Sequence, residues 1–236
     1  MFIVLLYRGL IRFNYPSFEE FPIQGVDVSH HQGDIDWQRL KSENAQFAYI
    51  KASEGATFTD PKFVVNWNGA LEAGVVPGAY HYFTLCKPGA EQADNFLKAL
   101  ASVDGSGLPP AVDLEFGGNC RERPDPESFA SQLEAFLAAL RTATGCSPVL
   151  YVTREFYRSY ITERLRDNRF WVRDIYSRPR LRDLSQWHLW QFANRGRLPG
   201  VETHIDLNVF NGTSEHFNAF LCGAARKKYR SDLSPP

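Results

Sequence analysis

An irregular, TIM-like αβ barrel of eight strands, with fewer helices in its C-terminal third, is the fold class this sequence predicts. Three observations carry that expectation. At 236 residues the chain suits one large domain or two small ones, and the length lies within the range of barrels. Short β-rich runs alternate with helix-like stretches, the punctuation of repeated βαβ units. Towards the end the β runs are separated by loop alone, so the late helices of a regular barrel are missing.

The β runs are Gln24–His30, Phe47–Ala52, Val76–Phe83, Pro110–Phe116, Pro148–Val152, Phe170–Ile175, Trp187–Phe192 and Ile205–Phe210. Between them, Lys62–Ala73, Gly89–Ala101 and Glu127–Thr142 read as helices. The last is the clearest, because Phe129, Leu133, Phe136, Leu137 and Leu140 fall on one face. Pro126 precedes it and Gly145 lies just beyond its end, which is the start and stop chemistry of a helix. No internal repeat or low-complexity linker interrupts the chain after residue 22. The expected organisation is an N-terminal apolar segment and linker over 1–22, a catalytic barrel over 23–223 and a basic tail over 224–236.

The apolar run Met1–Tyr7 is far short of the roughly 20 residues a membrane helix needs. It reads either as a buried first strand or as the end of an anchor or signal segment. The polar, aromatic stretch Arg8–Pro22 favours the second reading, since it resembles a linker approaching a domain.

Composition narrows the function classes. Hydrophobic residues at 44% and charged residues at 22% describe a chain that buries a core. Lys and Arg total 26 against 27 Asp and Glu, a net charge of −1, so no global field would hold nucleic acid or a membrane surface. Nine arginines between Arg154 and Arg182, and the run Arg226–Arg230, are local exceptions. Solvated surface is their default explanation, contact with an anionic polymer or lipid headgroups the other. The 4 cysteines, Cys86, Cys120, Cys146 and Cys222, form no C-x-x-C, so zinc-ribbon and thioredoxin spacings are absent and disulfides are allowed without being indicated.

The chemistry concentrates in Leu108-Pro-Pro-Ala-Val-Asp-Leu-Glu-Phe116. Residues two apart on a strand share a face, which sets Asp113 and Glu115 side by side with α-carbons roughly 6–7 Å apart. Like charges that close resist double ionisation, so one carboxyl keeps a proton beside an ionised partner, the combination glycoside hydrolysis uses. Asp27 and Asp206 each interrupt another apolar β run. Alone, either reads equally well as a cap or turn acid; together with the pair they put carboxylates on three strands that a barrel gathers at one mouth. Tyr49, Tyr80, His81, Tyr82, Tyr151, Trp171, Trp190 and Gln191 are candidates to stack on sugar rings and bond their hydroxyls and amides, with some of them serving as core. His30 and His31 have poor spacing for a metal. No G-x-S-x-G elbow, P-loop or G-x-G-x-x-G is present, so neither metal nor cofactor is expected.

Five ordered motifs over residues 24–212 resemble glycoside hydrolase family 25, the Chalaropsis-type lysozymes. They are Gly25-Val-Asp-Val-Ser-His-His-Gln-Gly33 with Ile35-Asp-Trp37, Tyr49-Ile-Lys-Ala-Ser-Glu-Gly55, Pro77-Gly-Ala-Tyr-His-Tyr-Phe83, Val112-Asp-Leu-Glu115 and Ile205-Asp-Leu-Asn-Val-Phe210. The resemblance implies an irregular barrel that cleaves the β-1,4 bond between N-acetylmuramic acid and N-acetylglucosamine in peptidoglycan, without metal or cofactor. It implies Glu115 as proton donor and Asp113 as the carboxylate that orients the substrate's 2-acetamido group. Asp27 and Asp206 would be further acids on the groove floor. Physically, Glu115 is the acid if it is the more desolvated of the pair. Strand spacing leaves open which stereochemical course is followed, because rotamers set the carboxylate separation.

No wall-binding repeat follows the barrel in this sequence. The N-terminal segment points to tethering in, or export across, a membrane, hence to an extracytoplasmic monomer working on peptidoglycan glycan strands; Cys120 could pair with another cysteine there. Two rival readings stand beside it: a catalytically silent wall-glycan binding protein, and a metal-dependent polysaccharide deacetylase using Asp27 and a histidine.

Overall fold

A computed structural model describes residues 14–104, 106–181 and 186–223. The apolar run Met1–Tyr7 and the basic run Arg226–Arg230 lie outside these residues. In chain order the strands are β1 (Gln24–Val28), β2 (Phe47–Glu54), β3 (Phe58–Thr59), β4 (Val76–Tyr82), β5 (Ala111–Leu114), β6 (Val149–Thr153), β7 (Arg169–Arg173), β8 (Leu189–Gly196) and β9 (Ile205–Phe210). The helices are α1 (Trp37–Ser42), α2 (Phe63–Glu72), α3 (Gly89–Leu100), α4 (Pro126–Thr144), α5 (Arg154–Tyr160) and α6 (Ser214–Phe220). Each of the eight β runs expected from sequence is a strand. The additions are the two-residue β3, which forms a hairpin with β2, and the short helices α1, α5 and α6.

The strands hydrogen-bond in the order β1-β9-β8-β7-β6-β5-β4-β2-β3, and β1 also pairs with β2, which closes eight of them into a barrel. Seven run parallel; β9 runs antiparallel to both β1 and β8. The reason is length. Only residues 197–204 separate β8 from β9, too few for the dozen or more a parallel crossover requires. Gly25 lets β1 seat against β2: a Cβ there would lie 2.5 Å from the Phe47 ring and carbonyl.

Side-chain alternation divides the core in two. Val26, Ile50, Val112, Leu150 and Val172 point outward into the helical layer, where Leu133, Phe136, Leu137 and Leu140 of α4 meet them. Helix α4 is set by Asp125, whose carboxylate accepts from the backbone N–H of Glu127 and Ser128, by Pro126 in its first turn, and by Gly145 at φ 66° beyond its end. Phe47, Tyr49, Trp171, Leu189 and Phe210 point inward and fill the lower barrel. From below, α6 plugs this end, with the Phe217 ring 5.7 Å from Phe47 and 5.2 Å from Phe210.

Residues ahead of β1 lie on the outside of β8. Phe21, 2% exposed, stacks 6.0 Å from Trp187 and meets Trp190 edge-on, while Asn14 donates to the Phe192 carbonyl. No helix among the described residues is long and apolar enough to cross a membrane.

Two disulfides pair all four cysteines. Cys86–Cys120 joins the loops after β4 and β5, and Cys146–Cys222 ties the end of α4 to the residues after α6 across 76 positions of sequence. Closing a loop of that length restrains the unfolded chain strongly. The double variant Cys146→Ala/Cys222→Ala is expected to lose about 2–4 kcal/mol in chemical denaturation.

Candidate active site

The acids converge at the mouth formed by the C-terminal ends of the parallel strands. Asp113 lies within β5 and Glu115 one residue past it, both on the inward face; Asp27 sits on β1. Asp206 comes from β9, directly opposite Asp27 in the antiparallel register. Two carboxylates facing across a ladder destabilise it unless they share a proton. Burial and the facing Asp27 push Asp206 well above the usual carboxylate range. Asp27 is also raised by burial, though bonds from Asn208 and Gln191 draw it back.

Beneath these acids a chain of directed hydrogen bonds forms the floor. The Tyr151 hydroxyl donates to Gln191 Oε1 at 3.0 Å and Trp171 Nε1 to Asn208 Oδ1 at 2.8 Å. Gln191 Nε2 and Asn208 Nδ2 then both donate to Asp27 Oδ2, at 2.9 and 2.7 Å. Gln191 Nε2 also reaches Asp206 Oδ2 at 3.4 Å, but both short bonds go to Asp27, so Asp27 serves as the acceptor and Asp206 as the proton holder. These acids bind protons more tightly folded than unfolded, so stability falls as pH rises above about 4, the range where the unfolded chain ionises first. Accordingly, Asp206→Asn should raise the melting temperature at pH 7, and the gain should close as the pH is lowered towards 4.

Asp113 and Glu115 differ in what surrounds them. Burial raises Asp113 well above the carboxylate range, followed by the charges of Glu115 and Asp27. Burial also raises Glu115, but Arg173 opposes it. Asp113 is therefore the more strongly shifted of the two, so desolvation alone does not single out Glu115 as the acid. The cause is position: Glu115 reaches the rim, where Arg173 Nη1 stands 3.4 Å from Oε2, whereas Asp113 Oδ1 is buried without a hydrogen-bond partner.

Of the eight aromatic and polar candidates, Tyr80, Tyr82 and Tyr151 face the acids; each is raised by burial and by the charge of Asp113 among others. Tyr82 also donates to the Gly117 carbonyl at 2.6 Å, bracing the loop beyond Glu115. Gln191 and Trp171 belong to the floor. Three candidates lie elsewhere. Tyr49 points inward but deeper, donating to the Pro109 carbonyl and stacking on Trp171 at 4.7 Å. His81 points outward, held by Ser53 and Gln92 against Phe136, and burial pushes it down to about 3, so it stays neutral. Trp190 also points outward and donates to the Asp174 carbonyl. Both alternate with inward neighbours, which excludes them from the mouth.

Lys51, Arg173 and Asn208 are site residues that the sequence reading passed over. Each stands two places beyond an inward candidate, Tyr49, Trp171 or Asp206, and alternation was the available signal. Lys51 bonds Glu54 at 2.6 Å and lies 5.2 Å over the Tyr82 ring. A cleft of about 610 Å³ opens beside Glu115, bordered by Gly117, Arg154, Arg173, Asp174 and Tyr176. The Arg154–Asp174 ion pair fixes its far wall, and Tyr176, 78% exposed, offers a ring at its edge. A hollow of about 460 Å³ by Arg169, His188 and His216 lies at the opposite end of the barrel, away from the acids. His30 Nδ1 meets Asp60 at 2.7 Å, and among the described residues no cluster of three His, Cys, Asp or Glu side chains is arranged for a metal.

Proton-sharing carboxyl groups at the C-terminal mouth of a barrel, next to an open cleft, meet the requirements of acid-assisted glycosidic bond cleavage and define a carbohydrate-cleaving barrel. Comparison with known proteins makes the class specific. Residues 26–201 match the family described as Glycosyl hydrolases family 25, and the chain belongs to that family. It is 32% identical over 214 residues to Lysozyme M1 of Streptomyces globisporus, covering 86% of this chain and 72% of that one. The N,O-diacetylmuramidase of Chalaropsis sp is 32% identical over 148 residues, 58% of this chain and 69% of that one. A solved family 25 glycosyl hydrolase from Bacillus anthracis superposes with a TM-score of 0.81 at 36% identity, over 89% of this chain and 98% of that one.

Proposed function

We propose that this glycoside hydrolase is a muramidase, cleaving the β-1,4 bond between N-acetylmuramic acid and N-acetylglucosamine in peptidoglycan. The observation that carries the reading is Asp113 Oδ1, buried at the mouth without a partner beside an acid at the rim. A buried carboxyl oxygen left unsatisfied is costly unless a ligand completes it, and the N–H of a 2-acetamido group is a matching donor. Accepting that bond favours ionised Asp113, which leaves the pair's single proton on Glu115.

Glu115 then protonates the glycosidic oxygen as the C1–O bond breaks, and the acetamido oxygen, aligned by Asp113, bonds to C1. In the second step Glu115, now a carboxylate, takes a proton from water while the water oxygen bonds to C1 and the acetamido bond opens. Asp27, with Asp206 and the amide floor, fixes the negative potential beneath the sugar. Activity should fail on the alkaline side, once the pair gives up its proton. The similarity to lysozymes supports the substrate, and two disulfides support an oxidising, extracytoplasmic location. We further propose a monomer whose barrel spans 23–223, with residues 14–22 packed on its outside, and tethering or export through the apolar run Met1–Tyr7.

Purified peptidoglycan digested with the protein tests the reading. New reducing ends on muramic acid, resolved by mass spectrometry, are expected, and chelator should not reduce them. Glycan binding without new ends would leave only a binding protein; chelator-sensitive acetate release would establish a deacetylase.

A further inference from the structure

We infer that Arg173 is a positioning residue for the acid, holding Glu115 Oε2 so that Oε1 carries the proton and stabilising the carboxylate formed when that proton leaves. The inference rests on the muramidase reading for its substrate and on the geometry of the mouth for its logic. Arg173 is the last residue of β7, on the inward face shared with Trp171, and its Nη1 lies 3.4 Å from Glu115 Oε2. Both side chains are partly shielded, 31% and 21% exposed, so the pairing is less screened than a surface ion pair. A guanidinium cannot give up its proton, which keeps the charge in place throughout the cycle.

The surroundings leave this task to Arg173. Asp113 beside Glu115, with Asp27 and Asp206 across the mouth from β1 and β9, opposes new negative charge on Glu115. Tyr82 is engaged with the Gly117 carbonyl and Tyr151 with Gln191. Lys51 on β2 is bonded to Glu54 and acts on Glu115 in the same sense but less than Arg173 does, and Arg154 in the cleft bonds Asp174. Protonated Glu115 becomes a carboxylate as the leaving oxygen takes its proton, and a preorganised cation aimed at that developing charge lowers the barrier. The same contact makes Glu115 a stronger acid than its burial alone would allow.

The decisive experiment compares pH–rate profiles of wild type, Arg173→Met and Arg173→Lys on peptidoglycan, with melting temperatures as the check on folding. For Arg173→Met, kcat should fall roughly tenfold to hundredfold, since one lost stabilising donor typically costs this much or more. The alkaline limb of kcat/KM should move to higher pH, and Arg173→Lys should restore most of that limb. In parallel, ¹³C NMR of the Glu115 carboxyl should show it titrating at higher pH in Arg173→Met. An unmoved limb and unmoved titration would overturn the role of Arg173. Wild type that makes no muramic reducing ends would instead overturn the substrate reading, and the NMR titration would still judge Arg173. Should Arg173→Met fail to fold, a titration unchanged in Arg173→Gln refutes the inference equally well.

Discussion

Glu115→Gln should lower kcat on peptidoglycan by about 10²–10⁴-fold, the range general acid catalysis supplies, while the protein stays folded. Glutamine keeps the shape of the side chain and its contact with Arg173 but has no acidic proton to give the leaving oxygen. The variant should therefore bind glycan strands with near-normal affinity, and its residual rate should lose the alkaline limb that the carboxyl pair imposes on wild type. Turnover within a few-fold of wild type would remove Glu115 from its role. Asp113→Asn makes a useful partner measurement. An amide at this position cannot hold the negative charge that the acetamido N–H calls for, so the loss should also fall on kcat.

The second large effect is on stability. Phe217→Ala should cost about 3–5 kcal/mol in chemical denaturation, the usual range for a buried phenylalanine. Phe217 is 0% exposed and packs between Phe47 of β2 and Phe210 of β9, two strands on either side of β1. Its loss opens a cavity beneath the barrel that backbone closed by hydrogen bonds on every side cannot collapse to fill. The acids lie at the other end, so below the lowered melting temperature kcat should remain within a few-fold of wild type. A cost under 1 kcal/mol would mean that α6 rests on the barrel without supporting it.

Much of this was legible in the sequence, and the exceptions have physical causes. The eight strands were readable because buried β runs bounded by turn residues are a strong local signal. The direction of β9 was not readable: the preceding run ends at Phe192 by sequence, leaving twelve residues, about enough for a parallel crossover, and only the extension of β8 to Gly196 cuts that spacing to eight. Alternation alone would have removed His81 and Trp190, since Tyr80, Tyr82 and Gln191 already claim the inward face of their strands. The depth of Tyr49 was not readable: Tyr49 and Lys51 share a face, and which of them reaches the acids depends on the stagger with which the barrel closes. Nor was the stronger shift of Asp113 than of Glu115 readable, because it depends on burial and on Arg173, which draws Glu115 down from 58 positions further along the chain than Glu115.

Asn119 clips the loop that carries the acid. Its side chain accepts from the backbone N–H groups of Leu85 and Cys120 and donates to the carbonyls of Phe83 and Glu115, using both ends of the amide. The Cys86–Cys120 bond spans the same two loops, so the splint is doubled, once by covalent chemistry and once by an amide indifferent to thiol state. Manufacture in a reducing bacterial cytosol should for that reason still yield a working acid loop, and dithiothreitol should spare catalysis where Asn119→Ala would not.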